Sequence, residues 1–260
     1  MKIWFVGRKG GIVLGACAIL FFAFALLGYF NKSTAAISAM TGERDLPIYC
    51  VDKDENDKKI SISFDAAWGN EDTENLIEIL GERNIKTTFF VVGEWVDKYP
   101  ESVKALSDAG HEVMNHSADH PHMTQISTDK MKQELEDCGS KIEAITGVKP
   151  NLFRPPFGDY NNDVVGTARE CGYYTIQWSV DSLDWKDLNA DEIYKRVVPK
   201  VEPGSIVLFH NAAKHTPEAL PKILDDLMAE GYEIVPISEL IIKDNYKVDA
   251  NGKQCSTNNQ

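Results

Sequence analysis

Two histidines four residues apart, His116 and His120 in the stretch HSADH, have the spacing of a metal site. On a helical turn, residues at that separation share one face, and paired imidazoles suit a divalent transition metal. A site with only two imidazoles and open positions around the ion is catalytic rather than structural in kind. An ion so held polarises a carbonyl oxygen and acidifies water. Asp65, in SFDAAWG, is a carboxylate able to take a proton from that water, and His210, in LFH, an imidazole able to give one to a leaving group. Metal, base and acid together describe hydrolysis of an amide or an ester.

These residues must be brought together by elements far apart in the chain. Short apolar runs at 59–64, 87–92, 111–116, 152–156, 173–180, 205–210 and 233–238 read as strands. Helical patterns alternate with them at 72–83, 100–109, 162–171 and 191–198. A further stripe, Met131, Leu135, Cys138, Ile142 and Ile145, follows Thr128 as N-cap and stops at Gly147. Leu220 to Met228 draws another, closing at Gly231. Strands alternating with helices imply parallel pairing through right-handed crossovers, and seven such units imply a barrel-like α/β domain. In such barrels the chemistry gathers at the C-terminal strand ends. Asp65, His116, Arg154, Asp181 and His210 all fall there, with His120 and Asp184 just beyond. Each alone is commonplace. Their joint placement at one rim is not.

On these residues the chain resembles the polysaccharide deacetylases of the NodB-homology, carbohydrate esterase 4 type. SFDAAWG stands where that family has T-F-D-D-G, HSADH matches H-[ST]-x-x-H and RPPFG matches R-P-P-[YF]-G. DSLDW matches D-x-x-D-W and LFH matches L-x-H, so five motifs match in order over residues 60–240. The resemblance implies an irregular (β/α) barrel of about seven strands. It also implies a metal-dependent hydrolase that removes N-acetyl groups from cell-wall amino sugars, or O-acetyl groups from another polysaccharide. Carried over residue by residue, Asp65 is the general base and Arg154 its ion-pair partner. His116 and His120 are the ligands of zinc, or of cobalt or nickel. His210 is the acid, its pKa raised by Asp184. The backbone N–H of Phe157 faces the oxyanion, and Trp185 and Leu208 line the acetyl pocket, with Pro155 and Trp68 adjoining.

One position departs from the pattern. The second aspartate of the first motif, the third metal ligand in the family, is Ala66 here, which weakens the expected metal affinity. The resulting stretch is similar to that of a sporulation-associated, PdaB-like subgroup with an N-terminal membrane segment. The alternative reading is therefore a catalytically weak or inactive domain that binds glycan or a spore-envelope partner.

The remaining signals concern location. Residues 11–30 carry no charge and are long enough to span a bilayer, while Lys2, Arg8 and Lys9 precede them. That orientation puts everything after residue 30 outside the cytoplasm, either anchored or, if SerThrAla at 33–35 is a cleavage site, released. Residues 31–57 read as a stalk, 58–242 as the deacetylase domain and 243–260 as a polar tail. The formal charge of −13 makes the chain a poor partner for a phosphate backbone, so nucleic acid is excluded. Cys50, Cys138, Cys171 and Cys255 lie beyond the apolar segment at spacings that fit no C-x-x-C metal motif, and free thiols are expected.

Overall fold

The computed structural model describes residues 44–258. The apolar segment at 11–30 lies outside them, and no helix among the described residues is long and apolar enough to cross a membrane. Seven parallel strands form the central sheet: β2 (Lys59–Ala66), β3 (Thr88–Val91), β4 (Glu112–Asn115), β5 (Leu152–Phe153), β6 (Tyr174–Thr175), β7 (Val180–Asp181) and β8 (Ile206–His210). Their order is β6-β5-β4-β3-β2-β8-β7, and β9 (Glu233–Ile234) pairs with the start of β2.

Strand β2 shows why the sheet sits as it does. Ile60, Ile62, Phe64 and Ala66 pack into the larger core cluster, together with Leu76, Leu80, Ile223 and Leu227 of the helices Thr73–Glu82 and Thr216–Ala229. The alternate residues Ser61, Ser63 and Asp65 face the other way, as the two-residue period of a strand requires. That inner side carries a second cluster, including Phe90, Met114, Leu152 and Ile206. A sheet buried on both faces suits an all-parallel arrangement.

The expected strand at 173–180 is interrupted. Tyr174–Thr175 pairs with β5, whereas Val180–Asp181 pairs with β8 at the opposite edge. Between them Gln177 N–H donates to the Ile48 carbonyl and Ser179 N–H to the Ile206 carbonyl. The segment thus carries the chain from one sheet edge to the other, which an unbroken strand cannot do. The last strand candidate also shortens, because Ile237–Leu240 is helical. In helix Thr128–Thr146 the cap is Ser127, whose side chain accepts from Lys130 N–H, one residue before the expected Thr128.

Residues 243–258 are not a loose tail: β10 (Tyr246–Val248) and β11 (Lys253–Ser256) form an antiparallel pair, and β11 pairs in parallel with β1 (Cys50–Val51). Asp249 Oδ1 accepts the N–H groups of Asn251 and Lys253 and closes the turn. Gln254 is buried, exchanging hydrogen bonds of 2.8 and 2.7 Å with the backbone of Ile242. All four cysteines among the described residues are unpaired, with only Cys138 buried.

Candidate active site

Asp65 ends β2 and Arg154 follows β5, and the two meet on the inner side of the sheet, which runs from β6 to β7 without the two edges pairing into a closed barrel. Arg154 Nη1 donates to Asp65 Oδ1 at 2.7 Å, while Nη2 donates to Ser63 Oγ at 2.9 Å and to the Gln177 carbonyl at 3.2 Å. The guanidinium lies 4.2 Å from the Phe90 ring centroid, and Arg154 is 0% exposed. Burial, the largest single influence, pushes the Asp65 carboxyl upward, but the charges of Arg154, His116 and His210 and the Arg154 hydrogen bond together hold it below the usual carboxylate range. A carboxylate so held stays ionised at neutral pH.

The two histidines do meet, though not on a helical turn. Residues 116–120 form a loop in which Ser117 (φ 70°) and His120 (φ 54°) are left-handed. Their ring centroids are 4.9 Å apart. Side chains secure this unfavourable backbone: Asn115 Oδ1 accepts from Ser117 N–H, and Ser117 Oγ from His120 N–H. Glu134, fully buried on helix Thr128–Thr146, accepts from Ala118 and Asp119 N–H at 2.9 Å each. Lys130 Nζ, 2.9 Å from the other carboxylate oxygen, balances its charge.

His116 Nδ1–H donates to the Arg154 carbonyl at 2.7 Å. A carbonyl only accepts, so this bond fixes the proton on Nδ1 and leaves a lone pair on Nε2. That Nε2 lies 3.6 Å from Asp65 Oδ2. Burial pushes both imidazoles toward the neutral form, His120 to about 4. Two neutral imidazoles fit a divalent metal. A third protein ligand is missing: among the described residues no group of three His, Cys, Asp or Glu side chains is placed to hold a metal ion. Ala66 is buried in the helix-side core and offers no donor. The residues present therefore suit a metal gripped by two protein ligands only.

His210 ends β8, directly in register with Asp65. The loop after β7 presents Asp184, whose Oδ1 is 2.8 Å from His210 Nδ1 and whose Oδ2 accepts His210 N–H at 2.8 Å and Thr216 Oγ1–H at 2.7 Å. Burial lowers the His210 pKa, but the bond and charge of Asp184 outweigh it, so the net shift is upward.

The expected pocket residues divide by exposure. Trp68 is 50% exposed, Trp185 52% and Phe157 61%, whereas Leu208 and Pro155 are buried. Trp68 stacks against His210 with ring centroids 5.8 Å apart. Phe157, itself left-handed at φ 60°, lies between His120 at 4.5 Å and His122 at 4.3 Å. Next to it Gly158 (φ 67°) has no room for a side chain, since a Cβ there would stand 2.9 Å from Trp178.

Sequence reasoning missed the residues that position the others: Ser63, Gln177, Asn115, Glu134 and Thr216. Only Ser63 left a signal, as a polar residue in a strand buried on both faces. The rest depend on backbone groups brought close by folding.

A polysaccharide deacetylase family model matches residues 52–176. Peptidoglycan-N-acetylglucosamine deacetylase PgdA of Listeria monocytogenes is 37% identical over 210 residues, which are 79% of this chain and 44% of PgdA. The chain thus spans less than half of that relative. Peptidoglycan-N-acetylmuramic acid deacetylase PdaA of Bacillus subtilis is 33% identical, covering 72% of this chain and 73% of PdaA. The crystal structure of BA3943, a CE4 family pseudoenzyme from Bacillus anthracis, superposes with a TM-score of 0.71 at 38% identity, over 75% of this chain and 68% of that one. A BA3943 mutant with restored enzymatic activity superposes equally well, at 39% identity and the same TM-score. The parallel half-barrel, the ordered motifs and these likenesses agree: the chain belongs to the polysaccharide deacetylase family.

Proposed function

We propose that this chain is a hydrolase removing N-acetyl groups from peptidoglycan-type amino sugars. The observation that carries the proposal is the register pairing of Asp65 with His210, each holding its own charged partner, Arg154 and Asp184. Asp65, kept ionised by Arg154, takes the proton of the attacking water. His210, kept protonated by Asp184, gives a proton to the departing nitrogen. The amide C–N bond breaks, and acetate and a free amine leave. The backbone N–H of Phe157 faces the developing oxyanion, and Trp185 and Leu208 bound the acetyl group. His116 and His120 would hold a divalent metal, zinc first, which polarises the acetyl carbonyl when bound.

A second reading is favoured by Ala66 and by the likeness to BA3943: a domain that binds glycan and turns it over slowly or not at all. Acetate release separates the two readings. Peptidoglycan and chitotetraose, with acetylated xylan as comparator, are incubated with the protein and with Asp65→Asn. Release from the first two, lost in the variant, supports the deacetylase; release from xylan alone reassigns it as an O-deacetylase; none from any supports the binding domain.

We also propose an extracytoplasmic location with attachment through residues 11–30, on the strength of that uncharged run and the basic residues before it. Membrane fractionation of the full chain against a chain starting at residue 31 tests it, and equal solubility of the two overturns it. The similarity to the PdaB-like subgroup makes a role in sporulation part of the same proposal.

A further inference from the structure

The loop after β2 and the loop after β8 meet around a cleft of about 420 Å³, lined by Gly69, Glu71, Asp72, Asn75 and Lys214 among others. We propose that the two loops hold a hard divalent cation, calcium in kind, between residues 69–72 and residue 211. This site is separate from the paired histidines and takes a different class of metal. It stands apart from the deacetylase reading, because it concerns binding and not turnover.

Two side chains cross between the loops in opposite directions. Asp72, 9% exposed, reaches over so that its Oδ2 accepts Ala212 N–H at 2.8 Å. Asn211, 2% exposed, reaches back, and its Nδ2 donates to the Gly69 carbonyl. A carbonyl only accepts, so that bond fixes which end of the amide is oxygen. The second oxygen of each side chain, Asp72 Oδ1 and Asn211 Oδ1, is buried with no hydrogen-bond partner among the described residues. Two orphaned acceptors at one crossing are costly, and with Asp72 ionised neither can satisfy the other. Glu71 brings a further carboxylate to the same backbone, since a Cβ on Gly69 would collide with it. Burial first, and then the charges of Glu71 and Asp184, push the Asp72 carboxyl upward against the bond from Ala212. A cation offsets that accumulation of negative charge. Lys214, the only cationic residue lining the cleft among those described, leaves Asp72 Oδ1 unpaired. Carboxylate and amide oxygens, with no imidazole or thiol in the lining, are the ligand set of calcium rather than of a transition metal. Magnesium demands a stricter octahedron, which two flexible loops do not supply.

Calcium chloride titrated into the metal-stripped full chain, read by calorimetry and by melting temperature, tests the site. Saturable binding is expected with a Kd of about 0.1–1 mM, the range of extracellular calcium modules. The melting temperature should rise with calcium and not with sodium chloride at matched ionic strength, and magnesium should bind less tightly. Glu71→Gln and Asp72→Asn should each weaken calcium binding by about tenfold or more, because each removes a charged ligand. Glu71 is exposed, so its replacement should leave the calcium-free melting temperature unchanged even if Asp72→Asn does not fold. His116→Ala should keep the calcium affinity of the parent. No saturable binding up to about 10 mM calcium, well above that range, overturns the site. So does binding indifferent to Glu71→Gln, or binding lost in His116→Ala. Acetate release without calcium binding removes this site and leaves the deacetylase reading standing; calcium binding without acetate release does the reverse.

Discussion

Asp65 and His210 are register partners on the adjacent parallel strands β2 and β8, so the proposed base and acid stand side by side at one end of the sheet. Neighbouring strands run about 4.8 Å apart. Each draws the other toward its charged form, and each is held there more strongly by a closer partner, Asp65 by Arg154 and His210 by Asp184.

That arrangement makes the Arg154–Asp65 pair part of what holds the fold together. Both groups are buried, and removing one charge leaves the other uncompensated. Arg154→Met should destabilise the fold by about 3–5 kcal/mol in urea unfolding at neutral pH. Adding Asp65→Asn to it should recover part of that loss. A single variant as stable as the parent would show that the pair is not coupled as described.

The state of His210 follows from Asp184. Its folded pKa is raised, so the imidazolium persists above the ordinary histidine value and is lost as pH climbs through the raised one. Any acetate-releasing activity should fall on the same alkaline limb. With Asp184→Asn the two largest raising influences are lost while burial still lowers the value, so the His210 pKa should fall relative to the parent. NMR titration of the His210 ring carbons reads both values directly; an unshifted pKa in the variant would remove Asp184 from its proposed role.

Glu134 is expected to act on the metal loop from behind. Its carboxylate holds two successive N–H groups of residues 118 and 119 between the two histidines. Glu134→Gln keeps the shape but weakens both charge-assisted bonds, so zinc affinity should fall about 10–100-fold, as when the groups that orient a metal's ligands are removed. Zinc titration monitored by the histidine resonances measures it. Unchanged affinity, with an unchanged melting temperature, would mean the loop needs no such support.

Ala66→Asp tests the missing ligand. The new carboxylate should raise zinc affinity by more than tenfold in calorimetry. Because Ala66 is fully buried in the helix-side core, the metal-free variant should also lose on the order of 1–3 kcal/mol, regained on adding zinc. Equal zinc affinity in both proteins would show that residue 66 cannot reach the two imidazoles.

Much of this site is legible in the sequence, for a physical reason. Strand ends in a parallel barrel converge, so Asp65, His116, Arg154 and His210 were locatable from hydrophobic periodicity alone. The HSADH loop was less so: four-residue spacing suggested a helical turn, whereas left-handed Ser117 and His120 achieve the approach with side-chain support from Asn115 and Glu134. The passage of residues 176–179 between sheet edges was hidden because their composition is that of a continuous strand. The closing hairpin was missed for the opposite reason. Residues 249–252, Asp-Ala-Asn-Gly, carry a turn signal, but the flanking strands are short and polar, and Gln254 is buried through hydrogen bonds rather than through apolar character.

The proposed acid and base are both in place, whereas His116 and His120 have no third protein ligand beside them among the described residues. The initial rate of acetate release from chitotetraose, measured against zinc concentration, tests this arrangement most directly. The account predicts release that rises with added zinc, saturates only at high zinc, and disappears in Asp65→Asn and in His116→Ala. No release at any zinc concentration, or release indifferent to zinc and to both substitutions, would contradict it.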